Sequence, residues 1–128
     1  VYTQDVNADG WSDVIVLGFP GKAAYWYENP KSPAAAEKAN APTHWKKHHI
    51  MDVVDNESPM MADLTGDGKP ELVCSTGGKF GYATPNADPT QKWTWHVISG
   101  GFARGMFTHG LGVGDVNGDG KADLMWKD

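Results

Sequence analysis

Apolar residues occur along this chain only in short runs, and each run sits at the same place in a recurring order. Val14-Ile15-Val16-Leu17, Leu72-Val73-Cys74 and Leu124-Met125-Trp126 each follow an acidic, glycine-containing stretch. An aromatic segment ending in proline comes next: Tyr25-Trp26-Tyr27-Glu28-Asn29-Pro30 in the first case, Phe80-Gly81-Tyr82-Ala83-Thr84-Pro85 in the second. A Trp-x-x-His unit follows, Trp45 to His48 before Ile50 and Trp93 to His96 before Val97-Ile98. Short leads, Pro59-Met60-Met61-Ala62 and Gly110-Leu111-Gly112-Val113-Gly114, then enter the next acidic stretch. Runs this short, rich in aromatic and β-branched residues and bounded by Gly, Pro, Asn or Asp, predict strands. Ser32–Asn40, with Ala34-Ala35-Ala36, is the one helix candidate. It lies between prolines and reads as a loop insertion with at most one helical turn.

The acidic stretches begin at Asp5, Asp63 and Asp115, giving periods of 58 and 52 residues. Four short strands in roughly 50 residues suit one blade of a β-propeller. On this reading Gly110–Gly114 is an inner strand, Asp123–Trp126 a second, Tyr25–Glu28 a third and Trp45–Ile50 a fourth. The expected fold is all-β, with part of a blade over residues 1–57, a whole blade over 58–109 and half a blade over 110–128. That makes about two and a half blades of four antiparallel strands. A closed ring takes about 4–8 blades. The partners expected are therefore the remainder of a larger propeller or other copies of this chain, since open strand edges invite pairing.

Charge sharpens the acidic stretches. The net charge is −5, and nine of the 16 acids but only two of the 11 Lys and Arg (Lys69 and Lys121) sit in the three loops, leaving seven acids against nine cations elsewhere. The acidity is thus local and site-building. No basic cluster points to nucleic acid, and no apolar run is long enough to span a membrane. The single cysteine, Cys74, excludes an intrachain disulfide; a metal is a usual substitute brace in an extracellular protein.

Each loop has an oxygen-bearing side chain at positions 1, 3 and 5, glycine at 6 and an acid at 9. Oxygens at positions 1, 3 and 5 of a tight loop converge on one point, and position 7 offers its backbone carbonyl, which is how a hard cation such as calcium is held. An EF-hand closes with an acid at position 12, on a helix. Here position 12 is Val16, Cys74 or Trp126. Closure falls instead on Asp13, Glu71 and Asp123, each directly before an apolar strand. The alternative is that these are simply hydrophilic Asp-Gly turns, a reading that three copies in step weaken. Extracellular calcium modules often bind at about 10⁻⁴–10⁻³ M, which favours a secreted or cell-surface location.

Asp5-Val6-Asn7-Ala8-Asp9-Gly10-Trp11-Ser12-Asp13 and Asp115-Val116-Asn117-Gly118-Asp119-Gly120-Lys121-Ala122-Asp123 resemble the FG-GAP/VCBS-type repeat, the family of the integrin α-subunit propeller and many secreted propellers. The resemblance implies Ca²⁺, up to three ions, in the loop between the first and second strands of each blade. It implies Asp5, Asn7, Asp9, the Trp11 carbonyl and Asp13 as ligands in the first loop. In the third it implies Asp115, Asn117, Asp119, the Lys121 carbonyl and Asp123. The middle loop keeps Asp63, Asp67 and the Lys69 carbonyl but has Thr65 at position 3 and Glu71 at position 9, so a weaker site is expected there.

Candidates beyond the loops are fewer. Arg104 and His109 precede the Gly110–Gly114 strand, on the rim opposite the acidic loops, with Asp55, Asn56 and Glu57 at the equivalent place one blade earlier. They read either as incidental surface polarity or as part of a pocket for carbohydrate or protein. His44, His48 and His49 do not make a zinc site, because on a strand His48 and His49 point to opposite faces. Trp45 and Trp93 are expected to pack between blades. P-loop, dinucleotide and nucleophile-elbow patterns are not met. The functional expectation is a calcium-binding extracellular propeller module that serves as a structural or recognition scaffold. The alternatives are the propeller part of a secreted carbohydrate-active lyase or dehydratase, argued from fold analogy, or a self-assembling extracellular protein.

Overall fold

A computed structural model of the chain describes residues 1–31, 44–101 and 106–127. The expected insertion at Ser32–Asn40 and the candidate Arg104 lie outside these residues. Ten β-strands and no helix occur among the described residues. In chain order, β1 (Tyr2–Gln4), β2 (Asp13–Leu17), β3 (Lys22–Glu28) and β4 (Lys46–Val54) form one four-stranded antiparallel sheet. A second is built the same way from β5 (Met60–Ala62), β6 (Glu71–Thr76), β7 (Lys79–Thr84) and β8 (Thr94–Val97). The third, β9 (Gly112–Gly114) with β10 (Asp123–Met125), repeats the first two strands of that pattern. The fold is therefore all-β, made of β-propeller-type blades.

Two expectations of strand content are revised. The first sheet is a complete blade and not only a blade's end, because Tyr2-Thr3-Gln4 pairs with Ile15, Val14 and Asp13 as its inner strand. The fourth strand runs from Lys46 to Val54, past Ile50, since Val54 still finds a partner in Lys22 across an irregularity near Ala24.

Cross-strand pairs explain the aromatic segments. Trp26 faces His48 and Tyr25 faces His49. The rings stack at 4.2 Å and 5.0 Å between centroids, on opposite faces of the sheet as a two-residue period requires. In the second sheet Tyr82 faces His96, stacked at 4.8 Å. Gly81 immediately precedes Tyr82, where the Trp95 indole crosses the strand. A Cβ at position 81 would stand 2.7 Å from Trp95 Cζ2, so this site takes no side chain.

The core is shared between the two full sheets. Ile15, Ala24, Trp26, Ile50, Met51 and Val54 from the first join Leu72, Cys74, Ala83 and Trp93 from the second in one cluster. Complete burial of a side chain of this kind contributes about 1.5–3 kcal/mol. Polar bonds cross the same seam: the Trp93 backbone amide donates to the Ile50 carbonyl at 2.9 Å, and the Tyr2 hydroxyl to the Pro59 carbonyl at 3.1 Å. Trp93, 5% exposed, thus packs between sheets as expected. Trp45, 38% exposed, does not. The third sheet leans on the second through Phe80 and Trp126, whose ring centroids are 5.0 Å apart.

Candidate functional site

The acidic loops connect β1 to β2, β5 to β6 and β9 to β10, so each closes the inner pair of strands of one sheet. Position 9 is the first residue of the outgoing strand in every case. Asp13 pairs with Gln4, Glu71 with Ala62 and Asp123 with Gly114. The ladder itself therefore sets where the closing carboxylate stands.

The three loops share one set of internal hydrogen bonds. The position 1 carboxylate accepts the position 6 amide: Gly10 to Asp5 at 2.8 Å, Gly68 to Asp63 at 2.9 Å and Gly120 to Asp115 at 2.8 Å. The position 5 carboxylate accepts the position 7 amide: Trp11 to Asp9 at 2.9 Å, Lys69 to Asp67 at 2.8 Å and Lys121 to Asp119 at 2.9 Å. The position 9 carboxylate accepts the position 2 amide: Val6 to Asp13 at 2.9 Å, Leu64 to Glu71 at 2.8 Å and Val116 to Asp123 at 3.0 Å. At position 3, Asn7 Oδ1 and Asn117 Oδ1 accept the amides of Asp9 and Asp119 at 3.2 Å and 2.9 Å. Thr65 instead donates its hydroxyl to Glu71 at 3.4 Å. These bonds hold each side chain at a fixed bearing while leaving lone pairs free, since a carboxylate offers about four.

Convergence is greatest in the middle loop. One carboxylate oxygen from each of Asp63, Asp67 and Glu71 lies within 4.8 Å of the others, a grouping the first and third loops do not reach. Ligands on opposite sides of a calcium ion at 2.3–2.6 Å are separated by about 5 Å, so this spacing fits one ion. The sequence pattern had marked this loop as the weaker one. Glu71 is longer than Asp by one methylene, and its buried carboxylate bonds both the Leu64 amide and the Thr65 hydroxyl. In the first loop, by contrast, Asp9 Oδ2 is drawn to the Lys31 ammonium at 3.1 Å.

The electrostatics follow. Burial pushes the Asp13 carboxyl above its ordinary value, and the neighbouring Asp9 and Asp5 charges add to that. The amides of Asn29 and Val6 pull the other way. For Asp9 burial also acts upward, but the Lys31 ammonium and the Trp11 amide prevail and hold it below the usual range. A buried carboxylate facing two more is a group that a cation stabilises.

A cleft of about 540 Å³ opens between the first and second loops, with Gln4, Asn7, Thr65, Lys69, Thr84 and Asn86 among its walls. The sequence pattern had directed attention to the opposite rim. Of the cleft residues, Thr84 ends β7 and Asn86 lies two residues beyond it. On the opposite rim, His109 Nδ1 meets Glu57 at 2.8 Å, with the His109 side chain 71% exposed. Asn56, read there as a rim residue, is 1% exposed and accepts the Ser75 amide at 2.8 Å, so its role is structural. Cys74 is buried and free, its thiol pushed up to about 12 by burial and by the Asp55 charge.

Blades of this connectivity, punctuated by acidic loops at the inner hairpin, define a β-propeller repeat module. A family model described as an FG-GAP-like repeat matches residues 63–126, half of the chain, and the chain belongs to that family. No curated protein and no solved structure matches it. No helix among the described residues is long and apolar enough to cross a membrane.

Proposed function

We propose that this chain is a calcium-binding β-propeller module of an extracellular protein, in which the ions brace the inner hairpins and a polar face serves recognition. One observation carries the reading: the Asp63, Asp67 and Glu71 oxygens converge within 4.8 Å, in a loop whose wiring recurs in two other copies. Asp63, Asp67, Glu71 and the Lys69 carbonyl would hold the middle ion. The Asp5 to Asp13 and Asp115 to Asp123 sets would hold the other two. A bound ion supplies positive charge to groups that otherwise repel, and its binding free energy adds to folding. Millimolar affinity suits calcium outside the cell. The cleft between two such loops, walled by amides, hydroxyls and a lysine together with the loop carboxylates Asp5, Asp67 and Glu71, supports recognition of a polar ligand such as a carbohydrate or a protein segment. The two and a half sheets would sit within a larger ring, completed by further repeats or by other copies.

Thermal unfolding in EDTA and in calcium tests this. At calcium ten times a site's Kd, each occupied site adds about 1.4 kcal/mol. Equal melting temperatures in the two conditions would refute the reading.

A further inference from the structure

The third acidic loop carries a reactive pair that the other two lack. Of the six asparagines, Asn117 is the one followed by glycine. Both residues are exposed, Gly118 has φ +76°, and a Cβ built on it would meet nothing within 4 Å. A backbone nitrogen attacks the preceding carboxamide most readily when its own residue has no side chain to obstruct the approach. The first loop has Asn7-Ala8 at this place, with a methyl group on a residue at φ +56°. The second has Thr65-Gly66 and no carboxamide. The chain therefore contains its own graded series.

We infer that Asn117–Gly118 is a self-modification site, at which the carboxamide is lost as ammonia at a rate set by how firmly the loop is closed. The Gly118 nitrogen gives up its proton to solvent base and attacks Asn117 Cγ. The N–Cγ bond forms, the Cγ–Nδ2 bond breaks, and ammonia leaves with a proton returned from solvent. Water then opens the five-membered imide at either carbonyl, leaving aspartate or isoaspartate at position 117. Water is the only co-reactant.

Two hydrogen bonds oppose the first step. The Gly118 N–H donates to Asp115 Oδ1 at 2.7 Å, which keeps its proton in place. Asn117 Oδ1 accepts the Asp119 amide at 2.9 Å, which fixes the carboxamide's bearing. Opening the loop frees both groups. A cation shared by Asp115 and Asn117 would hold them closed, and this half of the inference rests on the calcium reading above. The products matter to the loop. Isoaspartate inserts a methylene into the backbone and displaces Asp119, while aspartate adds charge beside Asp115, Asp119 and Asp123.

The test incubates the full chain in mildly alkaline buffer, with EDTA or with calcium chloride, and follows digests by mass spectrometry. Exchange of NH for O marks the event; the Asp-Gly bonds common to all three loops change no mass and do not interfere. Modification at Asn117 is expected to run on the order of tenfold faster than at Asn7, about 1.4 kcal/mol in barrier. Ala8→Gly, which also relieves a positive φ and so threatens no misfolding, should bring Asn7 up toward the Asn117 rate. Calcium should slow Asn117 by a similar factor. Equal rates at Asn7 and Asn117 in the unsubstituted chain, or no gain at Asn7 in Ala8→Gly, would overturn the site. A fast Asn117 that is indifferent to calcium would leave the site standing and overturn both the cation gate and the calcium reading of the third loop.

Discussion

The Trp26 indole N–H donates to the Pro89 carbonyl at 3.1 Å, joining the third strand of one sheet to the turn before the last strand of the next. Trp26 is also fully buried and stacked on His48, so one side chain supplies packing and a directional bond. Trp26→Phe keeps most of the packing and orphans the carbonyl, at a cost of about 1–3 kcal/mol. Trp26→Ala adds a cavity and should cost about 3–5 kcal/mol. Urea midpoints read both, with an unchanged m-value showing that the loss is in stability.

Gly81 is the second such point. Gly81→Ala places a methyl against the Trp95 indole and the His96 carbonyl. Overpacking of this sort costs typically 1–3 kcal/mol. Adding Trp95→Ala should recover only part of it, because the His96 backbone remains in the way. A double-mutant cycle on urea midpoints gives the coupling; full recovery would place the whole clash on the indole.

Neutralising the middle loop should act in opposite directions with and without calcium. Glu71→Gln relieves repulsion with Asp63 and Asp67, so in EDTA the chain should melt no lower than the unsubstituted protein. In calcium the variant should lose the middle site's share of the stabilisation, about 1.4 kcal/mol at ten times the Kd. A parallel loss in both conditions would mean that Glu71 matters only for its bonds to the Leu64 amide and the Thr65 hydroxyl.

Asp13 gives a pH dependence whose sign can be worked out. Its folded pKa is raised, chiefly by burial, so the metal-free folded state holds a proton more tightly than the unfolded chain. Its contribution is therefore most favourable below the ordinary value of 3.8 and declines as pH rises through that value to the raised one. On the proposed calcium reading the ion requires the carboxylate, so calcium should reverse the trend. Melting curves across the acid range should diverge between EDTA and calcium as pH rises, and Asp13→Asn should reduce the divergence.

Cys74 supplies a probe of opening. With its thiol pushed up to about 12 and its side chain fully buried, it should resist thiol reagents in the native state. It should react fully in denaturant. Labelling in native buffer at the rate of a free thiol would contradict its burial.

The acidic loops were legible because their chemistry demands particular atoms at fixed spacing, and Asp13, Glu71 and Asp123 all fall on the first residue of a strand. Inner strands were harder. Tyr2-Thr3-Gln4 has three residues and no periodicity to read, yet it completes a sheet. The two Trp-x-x-His units are alike in sequence and differ in burial. Trp93 has a preceding sheet to pack on, and its backbone amide bonds the Ile50 carbonyl there, whereas no preceding sheet exists for Trp45 among the described residues. Asn56 resembles any polar loop residue, and only the placement of the Ser75 amide makes it a buried acceptor. The convergence of Asp63, Asp67 and Glu71 likewise depends on reach, which substitution patterns do not reveal.

The shared core has a kinetic corollary. Ten buried residues from the first two sheets form one cluster, and the third sheet contributes none of them. The eight strands on either side of that seam should open as a single unit, with amide protons that exchange together at the rate of global unfolding. The β9–β10 hairpin, held by its own ladder and by Trp126 against Phe80, should exchange earlier as a separate unit. Hydrogen exchange would then divide this chain at a different place from its repeats, pairing two blades in one foldon and leaving the third hairpin as a flank.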